Sequence, residues 1–258
     1  MFRAISKLFI LIALMLCCGK LYSQQSSKKS DSTRHMRSYK NVIRYNLSSG
    51  LLFGLDKYVI LGYERVVGHH QSFSVNIGRA SLPKLVSFNT DSFQLSTSQN
   101  SNGFNISVDY RFYLAKENKY EAPRGVYIGP YYAYSHFTRD NQWNYKNNNS
   151  NNYVGTHSNF TINTIGFELG YQFILWKRLA LDMVLIGPGL AFYNYTATFN
   201  SNINAATKQQ LLDGLKQLLT QKFPGMNYVL ANKQIDANGT LRTNNIGYRY
   251  LIHIGFNF

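Results

Sequence analysis

Six charged residues fall where strand alternation would turn them to one shared interior: Arg44, Glu64, Asp109, Arg111, Glu168 and Arg249. Three cations facing three anions in a narrow space form a hydrogen-bonded plug that neutralises buried charge and fixes register. The competing chemistry is a proton or ion path along the same ladder. A second set consists of His136, beside Ser135 and Thr138, and His157, which precedes Ser158. A histidine base and a hydroxyl nucleophile must lie within hydrogen-bond reach, and a third group must orient the base. Asp140 is the acid placed to do so. His69 and His70 are adjacent, so on a strand they point to opposite faces and chelate poorly. No metal site and no cofactor is expected.

The elements that must position these residues are strands. Ile43, Tyr45, Leu47, Leu51 and Phe53 oppose Arg44, Asn46, Ser48 and Gly50, with a short turn at 54–57. Similar alternation recurs around 59–64, 73–78, 104–114, 125–137, 160–175, 179–199 and 243–258. In the last of these, Ile246, Tyr248, Tyr250, Ile252, Ile254, Phe256 and Phe258 share one parity. Eight strands are expected, an even number that allows ring closure without an unpaired edge. The links at 68–71, 115–124 and 176–178 are short, whereas 81–101, 138–159 and 200–242 are expected to be long loops on the opposite side. V-x-I-G-P-x-x-A-aromatic occurs at Val126–Tyr134 and at Val184–Phe192, so Pro130 and Pro188 predict matched bulges or kinks.

The last long link carries a helical pattern. Leu211, Leu212, Leu215, Leu218, Leu219 and Phe223 recur at helical spacing after Asn204, and Pro224-Gly225 ends the run. Lys208, Lys216 and Lys222 are expected to line its remaining surface. Such a helix is either a cap whose leucines pack on the mouth of the ring, or a lid or interfacial helix resting on anionic lipopolysaccharide, with the three lysines as the expected contacts.

At the amino terminus, Arg3 and Lys7 precede an apolar run from Leu8 to Cys18, and a polar break follows at 22–24. Residues 1–23 read as a secretory signal, too short to span a bilayer as a helix. Lipoprotein processing at Cys17 or Cys18 competes with this, but Leu16 is bulky where a small residue is required. Cleavage after Ser23 leaves no cysteine, hence no disulfide. Residues 24–40 read as a flexible lead-in and 41–258 as the barrel. The chain carries 27 Lys and Arg against 12 Asp and Glu. Without Arg3, Lys7 and Lys20 the balance is 24 against 12, about +12. Export and alternating strands exclude the nucleic-acid reading of this charge and point to anionic lipid.

The signal, the alternating strands, Gly62-Tyr63-Glu64-Arg65 and the terminal Phe258 together resemble small outer-membrane β-barrels of Gram-negative envelopes. These include the OmpA transmembrane domain, OmpX, OmpW and uncharacterised barrel families. The resemblance implies an all-β, eight-stranded antiparallel up-and-down transmembrane barrel, inserted by the barrel-assembly machinery through Tyr250, Phe256 and Phe258. It implies an integral protein of the outer membrane, both termini periplasmic, in contact with lipid and lipopolysaccharide. A monomeric, non-enzymatic envelope protein is the expected function. The alternatives are a lipid A modifying enzyme using His136 or His157, and a small pore.

Overall fold

Period-two patterning is realised as eight strands: β1 (Asn41–Asn46), β2 (Tyr58–Gly68), β3 (Gln71–Ala80), β4 (Phe93–Tyr113), β5 (Gly125–Asn147), β6 (Ser150–Leu175), β7 (Leu179–Phe199) and β8 (Thr240–Asn257). Two helices interrupt them, α1 (Leu47–Phe53) and α2 (Ala205–Lys222). The computed structural model describes residues 39–81, 93–118, 120–147, 150–200, 205–222, 230, 235–236 and 238–258. The expected signal and nearly all of the lead-in lie outside the described residues.

Each strand pairs antiparallel with its neighbours in sequence, and β1 pairs with β8, giving a closed up-and-down barrel. The ladder can be followed from Ile246 through Leu190, Ile165, Tyr132, Val108, Val75, Tyr63 and Ile43. It returns to β8 at Phe256 rather than Ile246, a stagger of ten residues. Such a stagger tilts the strands by roughly 40°, and eight strands leave an interior just wide enough for side chains.

Through most of its height the barrel has apolar residues outside and polar residues inside. Ile43, Leu61, Ile77, Phe104, Ile128, Phe167, Leu190 and Ile246 are exposed on the outer surface. Arg44, Glu64, Asp109, Arg111, Glu168 and Asp182 are buried within. That polarity suits a wall solvated by hydrocarbon. Small residues on the inner face make room for large ones. A Cβ on Gly62 would meet Asn76 Oδ1 and Arg44 Cγ, and one on Gly170 would meet the Tyr127 ring.

The links at 68–71, 115–124 and 176–178 are short turns, as alternation requires. Three expectations are corrected. The first strand ends at Asn46, and 47–53 is helical. Continuing the alternation would have turned Ser49 outward among apolar neighbours. Asn46 instead caps the helix, its side chain accepting from the Ser49 N–H at 3.1 Å. Second, much of the expected loops at 81–101 and 138–159 is strand, since β4 starts at Phe93, β5 reaches Asn147 and β6 starts at Ser150. Asn- and Ser-rich composition lowers strand propensity, but cross-strand pairing and an inward row of Phe137, Trp143, Val154 and Phe160 override it. Third, the two prolines are not matched. The register shifts between Val184 and Gly187 beside Pro188, whereas at Pro130 the ladder to β4 lapses without a shift.

Candidate functional site: a charged lumen beneath an apolar hood

Inward parity brings together all six charged residues named from the sequence, and adds two that the sequence reading did not place with them, Asp182 and His253. Asp182 is the hub. Its Oδ2 accepts from Arg44 Nη1 at 2.8 Å and from Arg111 Nη2 at 3.0 Å, and its Oδ1 accepts from the Tyr127 hydroxyl at 2.7 Å. His253 Nδ1 lies 3.1 Å from the same Oδ2. Arg111 also donates through Nε to Asp109 Oδ2 at 2.7 Å and through Nη1 to Gln172 Oε1 at 2.9 Å. Its guanidinium stacks over the Tyr127 ring.

Glu64 accepts from Ser72 Oγ at 2.6 Å and from the Tyr113 hydroxyl at 2.9 Å. Arg249 Nη2 lies 3.0 Å from Glu168 Oε2, and its guanidinium stacks over Tyr131. Arg44, Glu64, Asp109, Arg111 and Asp182 are each at most 2 % exposed. Nothing this buried tolerates an unpaired charge, so the network holds the inner faces of β1 to β8 together. It fills the lumen at its height, which argues against an open water path.

Above this network the polarity reverses. Phe137, Trp143, Val154, Phe160, Tyr195, Ala197 and Leu241 turn inward and pack with Leu211, Leu212 and Leu215 of α2. Trp143 Nε1 donates to Thr156 Oγ1 at 2.9 Å, satisfying the one polar atom of the largest side chain. The outward positions here are polar, among them Thr138, Asp140, His157 and Thr198. This upper section is a hood with an ordinary apolar core, and α2 is its filling.

The helix surface differs from expectation. At 100° per residue Lys208 falls within the leucine stripe, at the start of the helix, and Lys216 falls on its flank; both are half-buried, Lys208 lying near the Phe199 ring. Gln209, Gln210, Asp213 and Gln217 form the exposed face. The side chain of Lys222 lies outside the described residues.

The histidine candidates separate. His157 Nδ1 meets Asp140 Oδ1 at 2.6 Å, the expected base and orienter, on the outer surface of the hood. Ser158 points the other way and shares a hydrogen bond with the Tyr195 hydroxyl at 3.0 Å. Thr198 Oγ1 donates to the His157 carbonyl, not to its ring. His136 Nδ1 meets Thr161 Oγ1 at 3.0 Å, with no acid bonded to it among the described residues. Among those residues, too, no hydroxyl bonds the His157 ring. His69 pairs with Glu121 at 3.2 Å in an exposed turn, and no group of metal-ligating side chains forms among the described residues. At the carboxy terminus Phe256 and Tyr250 are exposed outward, and Phe258 exchanges backbone hydrogen bonds with Asn41 at the ring closure.

A family described as a protein of unknown function, DUF3575, matches residues 39–213, more than half of the chain. The chain belongs to this family. The match covers β1 to β7 and the first part of α2, with β8 beyond it. Among solved structures, the chain is similar to CarO2 of Acinetobacter baumannii, at 10 % identity and a TM-score of 0.34, covering 85 % of this chain and 98 % of that one. A major outer membrane protein from Thermus thermophilus gives 10 % identity and a TM-score of 0.34, covering 86 % and 100 %. A comparison with curated protein sequences finds no match.

Proposed function

We propose that this chain is an integral outer-membrane barrel without catalytic activity, whose hood stands outside the outer leaflet and meets lipopolysaccharide and neighbouring surfaces. The observation that carries the reading is the reversal of polarity along β5 to β7. An exterior that is apolar around a buried charge network suits hydrocarbon, and an exterior that is polar around an apolar core suits water. One strand can satisfy both only if it leaves the bilayer partway along. The barrel-assembly machinery is the partner for insertion, through the carboxy-terminal Tyr250, Phe256 and Phe258. The short turns face the periplasm, and the chain acts as a monomer.

The test has three readouts. The protein from an outer-membrane fraction is expected to migrate faster on a denaturing gel before boiling than after. In planar bilayers the filled lumen is expected to give no discrete conductance steps. Lipid A from cells with and without the protein is expected to have the same mass spectrum. Unchanged migration on boiling would overturn the membrane placement; steps or altered lipid A would overturn the assignment of function.

A further inference from the structure

Among the described residues, the barrel wall is incomplete in its outer half. β8 pairs with β1 only from His253 to Asn257, and β2 pairs with β1 only from Leu61 to Arg65. From Ile252 back to Thr240, β8 has β7 as its only strand neighbour among those residues. Ile246, Tyr248 and Tyr250 on this stretch are each more than 60 % exposed. They belong to the apolar belt, so the gap lies at membrane height. An open strand edge is not tolerated in hydrocarbon, because its N–H and C=O groups find no water.

Side chains do part of what the missing strand would have done. Ser48 Oγ accepts from the Ile252 N–H at 3.2 Å, the Tyr45 hydroxyl donates to the Tyr58 carbonyl at 3.1 Å, and Asn245 Oδ1 accepts from the Ile246 N–H at 2.8 Å. The segment that occupies the gap is α1, seven residues long and anchored at its start by Asn46. Among the described residues it is tied to β8 by a single side-chain hydrogen bond, where neighbouring seams have a full ladder.

Directly behind α1 is a cavity of about 190 Å³. Its gap side is lined by Asn46, Ser49, Ile60, Leu251, Arg249 and His253, and its far wall includes Asn76, Ser107 and Ala133. The volume would hold on the order of ten waters. Among the described residues, Arg249 Nε and His253 Nε2 are buried without hydrogen-bond partners, and His253 is 1 % exposed. Phe137 and Ala80 supply an apolar roof. The lumen already holds four carboxylates, Glu64, Asp109, Glu168 and Asp182, against three guanidinium groups. A further anion would be poorly received there. A neutral hydroxyl head can accept from Arg249 Nε and donate to His253 Nε2.

We propose that the α1 gap is a lateral portal through which the cavity takes the head of a neutral, hydroxyl-bearing single-chain amphiphile from the outer leaflet, its tail remaining in the bilayer. The inference rests on the membrane placement proposed above. The test uses the full protein in lipid nanodiscs containing a monoacylglycerol with a photoreactive diazirine near its head, with labelled residues mapped by mass spectrometry. Labels are expected on the cavity residues Ile60 and Leu251 as well as on the belt residues Tyr248 and Tyr250. Ala133→Trp, which fills the cavity, is expected to abolish the cavity labels and leave the belt labels. Ser107→Leu serves the same purpose if the tryptophan variant fails to give a heat-modifiable barrel. Belt labels alone in the native protein, or cavity labels unchanged in both filled variants, would overturn the portal while leaving the membrane placement intact. A protein without belt labels would overturn that placement, and the portal with it.

Discussion

The lower barrel and the hood are built from the same strands under opposite rules. On β6, Phe167 and Leu169 face out while Glu168 faces in; ten residues earlier, His157 and Asn159 face out while Ser158 and Phe160 face in. The backbone ladder does not change between these points; what changes is which of its faces is apolar. What holds each region together therefore differs. The lower barrel depends on exact pairing of buried charge, which fails sharply when one member is lost. The hood depends on apolar burial, which fails gradually with lost volume.

Loss of Arg111 is expected to have the largest effect. Arg111→Leu strands Asp109 and Asp182 in the lumen, where each now receives an Arg111 hydrogen bond. Breaking a buried ion pair by removing one partner costs about 3–5 kcal/mol. Urea titration in lipid vesicles, followed by gel mobility without boiling, is expected to show a large drop in the midpoint. A midpoint near that of the native protein would mean that the lower barrel does not rest on its charge network.

Leu212→Ala tests the other half. Leu212 is 1 % exposed in the hood core, and such truncations cost about 2–5 kcal/mol. The loss is expected to stay local: faster proteolysis within the hood, with the heat-modifiable shift of the barrel kept. If the barrel midpoint falls as far as it does for Arg111→Leu, the two regions are one cooperative unit and the contrast drawn between them is wrong.

The strand parity that predicts the lumen was fully present in the sequence, because Arg44, Glu64, Asp109, Arg111, Glu168 and Arg249 sit in clean alternation. Asp182 was as legible, since Leu181 and Met183 flank it with the opposite character. The doublet at Leu185-Ile186, where β7 bulges, breaks the phase just downstream and hid it. His253 was visible on the polar face of β8, but its partner was not, because proximity across the lumen depends on stagger and not on alternation. The hood escaped notice for a different reason. Its polar exterior and its asparagines have the composition of loops, and only the inward row of Phe137, Trp143, Val154 and Phe160 betrays strands. Helix α1 is barely two turns, too short for periodicity to register. Its one signal was Ser48-Ser49-Gly50, which interrupts the apolar parity of β1.

The polarity reversal itself can be probed with one charge placed at two heights. Phe167→Arg puts a guanidinium on the belt, where Phe167 is 69 % exposed, and is expected to cost about 2–4 kcal/mol near the bilayer midplane. Thr198→Arg puts it on the exposed outer face of the hood, where surface substitutions change stability by less than about 0.5 kcal/mol. Equal penalties in vesicles would place both positions in one solvent and remove the membrane boundary between them.

The smallest effect is expected from Lys208→Gln, Lys216→Gln and Lys222→Gln together. Near an anionic surface each exposed lysine contributes about 1 kcal/mol of attraction, screened within a Debye length. Lys208, within the leucine stripe, and Lys216, on its flank, are half-buried, so part of that attraction is lost to burial against the hood. The triple variant is expected to weaken binding to lipopolysaccharide vesicles modestly at low salt and hardly at all at physiological salt. The exposed face of α2 carries Gln209, Gln210, Asp213 and Gln217 instead, none of them cationic. Binding that is unchanged even at low salt would move the contact off this helix. The basic residues elsewhere on the hood rim would then be the ones to replace next, beginning with Arg79, exposed at the outer end of β3, and Arg242, exposed at the outer end of β8.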